Sequence, residues 1–442
     1  MGTNAHIVLS KTVLSKVVLN KTVEEKSEPS KTEERASNQN QPSERQNHLL
    51  VLSARDEQRL REIAQLYLDW LKTSPDVDLG DFCHTAAVGR RHYEYRTALT
   101  VNSESQLTDL LGKIANGTAD NSIGCVKSAP KLAWVFSGLE SASVATVRQT
   151  MKTLYDVEAV FRNFIGELDQ RLAVFCEQHQ QPLVSFQEWI LTDSIAEQNA
   201  AEQNAADKSE PAVQDIHLYA LQAGLVHVWR SWGIEPDVVH GHGIGQYTAA
   251  CVAGGLCFYD AATLILRRQI ALAAVARQAD SKTALTEFEA FADTLNYYPP
   301  NMPLVCSLDG QIVAVHRTLG GSYWTQHLTA ARSSDSWTCL ASQNCDAIQL
   351  VGSVSDFDQL NSTDWGEKKP DFLPAVASSA DQCRMHTSAT MLESLGRLYV
   401  LGANPDFKAL DREWNRSRLS LPHYPFHKKR YWITELSQHT TE

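Results

Sequence analysis

The sequence predicts an α/β protein with a mainly parallel sheet, helices on both faces of that sheet, and a small α/β unit in front of it. Short, predominantly apolar segments alternate with longer segments of helical periodicity, which is typical of βαβ units. One of the apolar segments runs straight into a glycine-rich turn that opens a further helix. The chain of 442 residues is long enough for roughly two or three domains.

The composition is that of an ordinary globular protein, with 43% hydrophobic and 21% charged residues. A net charge of −12 argues against a nucleic-acid-binding protein, which normally has a basic face. No apolar run is long enough to span a bilayer, and lysines interrupt the early apolar runs, so neither a membrane association nor a signal peptide is predicted. The nine cysteines are scattered without a C-x-x-C pair or zinc-ligand spacing. We therefore predict a cytoplasmic protein with reduced thiols, no metal site and no cofactor.

Residues 7 to about 47 are predicted to form a disordered linker. A Val-Leu-Ser-Lys or Val-Leu-Asn-Lys unit repeats between residues 8 and 21, and a run rich in Glu, Ser, Lys, Asn and Gln follows. Too few large apolar side chains occur in this run to build a core, so disorder is the expectation.

Segment 48–128 is predicted to be the small α/β unit. Its predicted elements are strand 49–53, helix 54–72, helix 79–88, strand 96–101 and helix 104–115. Ser53 and Asp78 precede the first two helices. They are the predicted N-caps, because a side-chain oxygen at that position accepts a hydrogen bond from the first helical turn.

Segment 129–410 is predicted to hold the larger domain. Its predicted elements are strand 131–136, helices 147–172 and 218–232, strand 237–240, helices 247–253 and 259–277, strands 303–305 and 347–351, and helix 393–400. A low-complexity patch at 196–211 repeats Ala-Glu-Gln-Asn-Ala and is predicted to be a solvated insertion. In the final segment, 411–442, prolines favour an extended conformation over 421–426.

The glycine-rich turn has the layout of a nucleophile elbow, in which a sharp strand-to-helix turn presents a hydroxyl at the top of a sheet. The turn reads Gly241-His242-Gly243-Ile244-Gly245. Gly243 stands at the nucleophile position and carries no side chain, and its neighbours supply no hydroxyl or thiol. We therefore predict that the turn is preserved and that it carries no nucleophile for a covalent intermediate. A dinucleotide fingerprint is disfavoured, because Gln246 replaces its third glycine.

Several motifs together resemble the acyltransferase region of a modular polyketide synthase. Residues 2–6 resemble the end of a ketosynthase domain. Residues 89–96 resemble part of the linker domain between the ketosynthase and the acyltransferase. The landmarks within the domain are 232–236, 241–247, 298–300, 303–305 and 323–328, and the post-acyltransferase linker is matched by 421–432. The resemblance implies a hydrolase-like α/β core that usually carries a small ferredoxin-like subdomain. Arg268 and Pro299 lie too close in sequence to enclose it, so we expect that subdomain to be missing.

The resemblance also implies a chemistry. In the family, a serine takes malonyl or a related acyl group from coenzyme A and passes it to the phosphopantetheine thiol of an acyl carrier protein. A histidine is the base, a glutamine holds the oxyanion and an arginine binds the substrate carboxylate. The matching positions here are Gly243 for the serine, Leu139 for the glutamine, Asp280 for the histidine and Arg268 for the arginine.

We therefore expect no catalytic residues and a vestigial pocket. Its members would be His242, Ile244, Gln246, Leu139, Arg268 and Asp280. Arg268 has two interpretations: a clamp for a malonyl carboxylate, or one half of an ordinary basic pair with Arg267. His242 is interpreted as a packed, hydrogen-bonded turn residue.

Three functions follow as hypotheses. The first is a catalytically inactive structural domain that keeps the linkers and a ketosynthase domain of the same polypeptide in register. The second is a docking module for a trans-acting acyltransferase or an acidic acyl carrier protein, with Arg90-Arg91 and the basic run 427–430 as contact patches. The third is a residual malonyl or acyl coenzyme A:carrier protein acyltransferase.

Overall fold

The computed structural model of the chain describes ten segments, all of them within the unit Pro42–Glu442. They are residues 45–74, 76–118, 123–138, 144–181, 185–191, 211–277, 281–330, 333–351, 357–376 and 380–426. Most of the predicted linker, the insertion up to residue 210, Leu139, Asp280 and the basic run 427–430 lie outside the described residues.

The small α/β unit is built on a three-stranded antiparallel sheet of order β1-β2-β3. Its elements are β1 (His48–Ala54), α1 (Glu57–Thr73), α2 (Leu79–Val88), β2 (Tyr95–Val101), α3 (Glu104–Ala115) and β3 (Gly124–Cys125). Ser53 is not the N-cap of α1, because β1 continues through it. Asp56 caps that helix instead, accepting a hydrogen bond of 2.8 Å from the Arg59 backbone N–H. Asp78 caps α2 as predicted, accepting from the backbone N–H of Asp81 at 2.9 Å.

The larger domain is built on a parallel five-stranded sheet of order β6-β5-β4-β7-β8. The strands are β4 (Leu132–Phe136), β5 (Val238–Gly241), β6 (Leu304–Val305), β7 (Ala347–Val351) and β8 (Asp371–Pro374). The helices are α4 (Val144–Val157), α5 (Ala159–Gln178), α6 (Phe186–Leu191), α7 (Pro211–Ser231), α8 (Gly245–Val252), α9 (Phe258–Ala276), α10 (Ser281–Ala292), α11 (Gly321–Thr329), α12 (Asp335–Ala341), α13 (Phe357–Ser362), α14 (Ala380–Leu401) and α15 (Phe407–Leu410).

Both faces of the parallel sheet are covered. Trp134 and Phe136 of β4 belong to the main core, together with residues of α4, α5, α7 and α8. Their neighbours Ala133 and Val135 point to the other face, where they pack with Trp337 of α12. This alternation along one strand confirms the predicted layout of a parallel sheet between helices.

The stretch between α9 and β6 is short. The described residues there, 281–303, form helix α10 and then an extended segment, and they contain no strand. No second sheet is inserted at this point within the described residues. Among the described helices, none contains an apolar stretch that could span a bilayer.

Arg45 belongs to the packed structure, although the sequence assigned it to the linker. Its side chain is 3% exposed and forms an ion pair of 2.6 Å with Glu158 at the start of α5. The guanidinium also lies over the Trp414 ring at 4.2 Å and near that of Trp232 at 5.8 Å. A buried charge of this kind requires a partner and is not seen in a solvated linker.

Candidate functional site

The predicted elbow is present at the carboxyl edge of the parallel sheet. β5 ends at Gly241 and α8 begins at Gly245, so the turn is as short as the sequence indicated. The His242 backbone N–H donates to the Phe136 carbonyl at 2.8 Å, and the Gly245 N–H donates to the His242 carbonyl at 3.0 Å. These two bonds fix the turn both to itself and to the end of β4.

Two glycines of the turn are required by close backbone contact. A Cβ on Gly241 would lie 2.3 Å from the Gly245 carbonyl oxygen, and a Cβ on Gly245 would lie 2.1 Å from the Phe136 carbonyl oxygen. Gly243 between them is buried and has a φ of +58°, in the left-handed region. The turn therefore keeps the tight strand-to-helix geometry of an elbow and presents no side chain at its tip.

A buried glutamine holds the loop after β4 to the helix after the elbow. Gln222 of α7 is fully buried, and its amide donates to the Ser137 carbonyl at 2.7 Å. Its amide oxygen accepts from the Thr248 hydroxyl at 2.9 Å. Gln222 was not predicted as a functional residue; the signal for it in the sequence is an amide side chain in the apolar part of a long helix, where burial demands hydrogen-bond partners.

Gln246, the first residue after the Gly245 position, is also fully buried. Within the described residues, neither its amide oxygen nor its amide nitrogen meets the geometry of a hydrogen bond. His242 and Ile244 lie in the turn beside it; Ile244 is buried and His242 half-buried. The structure thus brings together these three members of the predicted vestigial pocket, whereas Leu139 and Asp280 lie outside the described residues.

Arg268, the fourth described member, is bound to a carboxylate of the protein itself. Its Nη1 forms an ion pair with Oδ2 of Asp215 near the start of α7. The two side chains are only 11% and 13% exposed. Arg267 is also engaged, because it contacts the His179 ring at 2.7 Å and lies 5.0 Å from the Phe291 ring centre. The two arginines are therefore not a solvated basic pair.

Tyr247 joins Arg268 to the elbow. It is fully buried on the first turn of α8, and its hydroxyl meets no hydrogen-bond geometry within the described residues. Burial raises the pKa of Tyr247, and the nearby charge of Arg268 opposes that rise. The phenol therefore stays protonated at neutral pH and remains a hydrogen-bond donor.

Aromatic residues from α11 form the wall behind Tyr247. The rings of Tyr247 and Trp324 stack with centres 4.2 Å apart, and the His327 ring lies 5.6 Å away, edge to face. From the sequence, residues 323–328 are recognisable only as family landmarks. The structure gives them a role: they pack against the helix that leaves the elbow. Among the described side chains, no group of three or more His, Cys, Asp or Glu is arranged to hold a metal ion.

Two family models match the chain. Residues 48–111 match the family described as CurL-like, PKS C-terminal. Residues 134–318 match the acyl transferase domain family. The second match includes the last three residues of β4 together with the elbow, α9 and β6, which are elements described above.

Curated relatives are polyketide synthases. The chain is 30% identical over 224 residues to the non-reducing polyketide synthase PKS16 of Cladonia grayi. That match covers 51% of this chain and 10% of that protein. It is 22% identical over 459 residues to the polyketide synthase GfsA of Streptomyces halstedii, and this match covers 87% of this chain and 6% of that protein. The chain thus spans a tenth or less of the length of these two relatives.

Solved acyl transferase domains share the fold. The domain of ZmaA superposes with a TM-score of 0.71 at 20% identity, over 86% of this chain and 100% of that one. The domain from module 8 of the salinomycin polyketide synthase gives a TM-score of 0.62 at 18% identity, over 83% and 98%. Fold, motif order and family matches agree and confirm the resemblance: residues 134–318 are similar to the acyl transferase domain of polyketide synthases, and residues 48–111 to the CurL-like family.

Proposed function

We propose that this acyl transferase domain transfers no acyl group and is a structural part of a polyketide synthase. The observation that carries the proposal is Gly243 at the tip of a preserved elbow. An acyl-enzyme needs a hydroxyl or thiol, and neither His242 nor Ile244 provides one. Loss of the nucleophile in a serine hydrolase costs on the order of a millionfold in turnover. The backbone of the turn is intact, so what is missing at Gly243 is the nucleophilic side chain and not the fold that would present it.

A structural role is supported by contacts that join the small unit to the larger domain. Arg96 of β2 is 6% exposed, and its guanidinium donates to the carbonyls of Tyr399 at 3.2 Å and Ala403 at 2.8 Å. It also donates to the Asn404 side chain at 3.0 Å. The neighbouring His92 ring bonds the Tyr399 hydroxyl at 2.7 Å. Buried charge-assisted bonds of this kind fix one domain's orientation on the other.

The segment after α15 returns to the small unit and is bound there. Its backbone N–H groups at Ser417 and Leu419 donate to the side chains of Asp81 and Thr85 at 2.8 and 3.0 Å. Arg90 donates to the Leu421 and Pro422 carbonyls, both at 3.0 Å. These bonds support a function in which the domain fixes the path of its flanking segments. We further expect a ketosynthase domain in the same polypeptide, because the chain corresponds to a small part of its relatives.

The contacts of Arg90 bear on the docking hypothesis. Arg90 was one half of a proposed basic patch, yet its guanidinium is bound to carbonyls of the returning segment. Arg91 remains exposed, with its charge over the Tyr93 ring at 5.6 Å. One exposed arginine is a weak anchor for an acidic carrier protein, and the run 427–430 lies outside the described residues, so the structural role is the better supported.

The test is to incubate the whole chain with malonyl coenzyme A and to measure its intact mass. We expect no mass increase, whereas an active acyl transferase domain treated in parallel gains the malonyl group. A malonyl adduct on the wild-type chain that then passes to a carrier-protein thiol would overturn the proposal. The variant Gly243→Ser restores the hydroxyl. We expect it to give no turnover, because Arg268 remains bound to Asp215.

A further inference from the structure

The small α/β unit has a cavity of about 210 Å³ between helix α1, the loop after α2 and the returning segment. We infer that this cavity binds a small aromatic carboxylate, with the ring inside and the carboxylate at the exposed end. An apolar cavity of about 150 Å³ is known to hold one benzene molecule, so the volume is sufficient for a ring that carries one carboxylate.

The inner wall of the cavity is apolar. It is lined by Ile63 and Tyr67 of α1 and by Ala86 of α2, and all three side chains are buried. Tyr93 and Tyr424 also line the cavity, and their ring centres lie 5.2 Å apart. Aromatic rings attract a further ring in edge-to-face or offset stacking, so this wall favours an aryl group as the body of the ligand.

The charge at the exposed end of the cavity is positive. Arg91 lines this end, and its guanidinium lies 5.6 Å from the Tyr93 ring centre. That guanidinium forms no ion pair and no hydrogen bond with the described residues. Arg90, which two carbonyls of the returning segment hold in place, adds a second positive charge. Neither Asp nor Glu is among the described lining residues, so the charges favour an anion.

The acidic side chains of α1 do not supply that anion, because each is paired within its own helix. The pairs are Glu57 with Arg61, Glu62 with Arg59, and Asp69 with Lys72. The run 427–430, which continues the returning segment, is basic and therefore does not supply it either. A lone exposed arginine holds an anion weakly, but a ligand in this cavity also buries its ring. The ring and the carboxylate are thus required by two separate parts of the lining.

The test is a titration of the whole chain, with labelled Ile, Leu and Val methyl groups, with sodium benzoate at constant ionic strength. We expect the methyl resonances of Ile63 and Leu66, which line the cavity, to shift with a dissociation constant of about 1 mM or lower. An absence of saturation, or shifts confined to methyl groups elsewhere, would overturn the inference.

Three other ligands separate the ring from the charge. Benzyl alcohol keeps the ring without the carboxylate, acetate keeps the carboxylate without the ring, and inorganic phosphate is an anion without an apolar body. We expect each of them to bind at least about tenfold more weakly than benzoate, because each loses one of the two interactions. If any of the three binds as tightly as benzoate, the inference is wrong. This comparison uses the wild-type chain and does not depend on the folding of a variant.

Two surface variants locate the interactions. Arg91→Met should weaken benzoate binding about fivefold or more, because it removes the charge at the exposed end. Leu66 is 36% exposed, and Leu66→Glu should abolish the saturable shifts by placing a carboxylate beside the ring. The matched control is Arg418→Met, since Arg418 is exposed on the returning segment and is not among the described lining residues.

The control variant should bind benzoate as the wild type does. Unchanged affinity in Arg91→Met, or an equal loss in Arg418→Met, would refute the site. None of these titrations contains an acyl donor, so their outcome is separate from that of the mass experiment.

Discussion

His240 is a buried histidine at the end of β5, immediately before the elbow. It is fully buried, its ring lies 4.9 Å from that of Trp337, and neither ring nitrogen meets hydrogen-bond geometry within the described residues. Burial lowers the pKa of His240 from 6.5 to about 4. The folded protein therefore holds this ring neutral, on the face of the sheet opposite the main core.

We expect His240 to make the protein less stable as the pH falls from 6.5 towards 4. In that window the unfolded chain binds a proton on this ring and the folded chain does not, so stability decreases with decreasing pH. At about 1.4 kcal/mol per pH unit, the full effect is about 3 kcal/mol. Urea unfolding at several pH values should show that His240→Leu removes this part of the acid sensitivity. His316, exposed after β6, is the matched control, and parallel curves for His240→Leu and the wild type would contradict the prediction.

At the scale of elements, the strand–turn–helix unit was predictable and its surroundings were less so. β4 is wholly apolar, β5 is apolar except for His240, and glycines mark the turn, so both strands and the elbow could be predicted from the sequence. β8 was missed because its four residues are largely half-buried and end in a proline, which gives no alternating pattern. α14 begins at Ala380, well before the predicted 393, because its first turns are polar and lack an apolar period.

We expect the elbow to tolerate no side chain at Gly245. A methyl group there would collide with the Phe136 carbonyl, which belongs to a central strand and cannot move aside. Gly245→Ala should therefore lower the free energy of unfolding by more than about 2 kcal/mol, as overpacking does. Gly112 in α3 is the matched control, because a Cβ there meets nothing within 4 Å. Gly112→Ala should stabilise by about 0.5–1 kcal/mol in chemical denaturation. Equal effects of the two substitutions would mean that the turn is looser than described.

The ion pair between Arg268 and Asp215 could not be predicted from the sequence. The partners are 53 positions apart, on helices that meet only in the folded protein. The residue type at 268 suggested a bound carboxylate, but nothing in the sequence indicated that the chain supplies one. The missing hydroxyl at Gly243, in contrast, is a property of a single position in a local motif. Local chemistry was therefore predictable, and tertiary pairing was not.

At the scale of the whole molecule, the buried ion pair of Arg45 joins three parts of the chain. Glu158 lies between α4 and α5 of the larger domain, Arg45 precedes β1, and Trp414 belongs to the segment after α15. Burial raises the pKa of Glu158, and the charge of Arg45 opposes that rise. The carboxylate thus depends on one arginine for its charge balance.

We expect Arg45→Met to destabilise the protein by about 3–5 kcal/mol at neutral pH, because it leaves Glu158 buried and unpaired. Without Arg45 the pKa of Glu158 rises further, so the loss should shrink as the pH falls and the carboxylate takes up a proton. The double variant Arg45→Met/Glu158→Met should recover most of the loss. Denaturant unfolding at pH 8 and pH 5 measures both effects, and a pH-independent loss that the double variant does not recover would argue against the ion pair.

The bonds between α2 and the returning segment also determine how the molecule would carry tension. Asp81 and Thr85 bind the backbone N–H groups of Ser417 and Leu419, and Arg90 binds carbonyls further along the same segment. A force that pulls on the chain beyond Phe426 would act on these bonds, because they hold the returning segment to the small α/β unit. The small α/β unit would therefore bear that force before the parallel sheet and its elbow do.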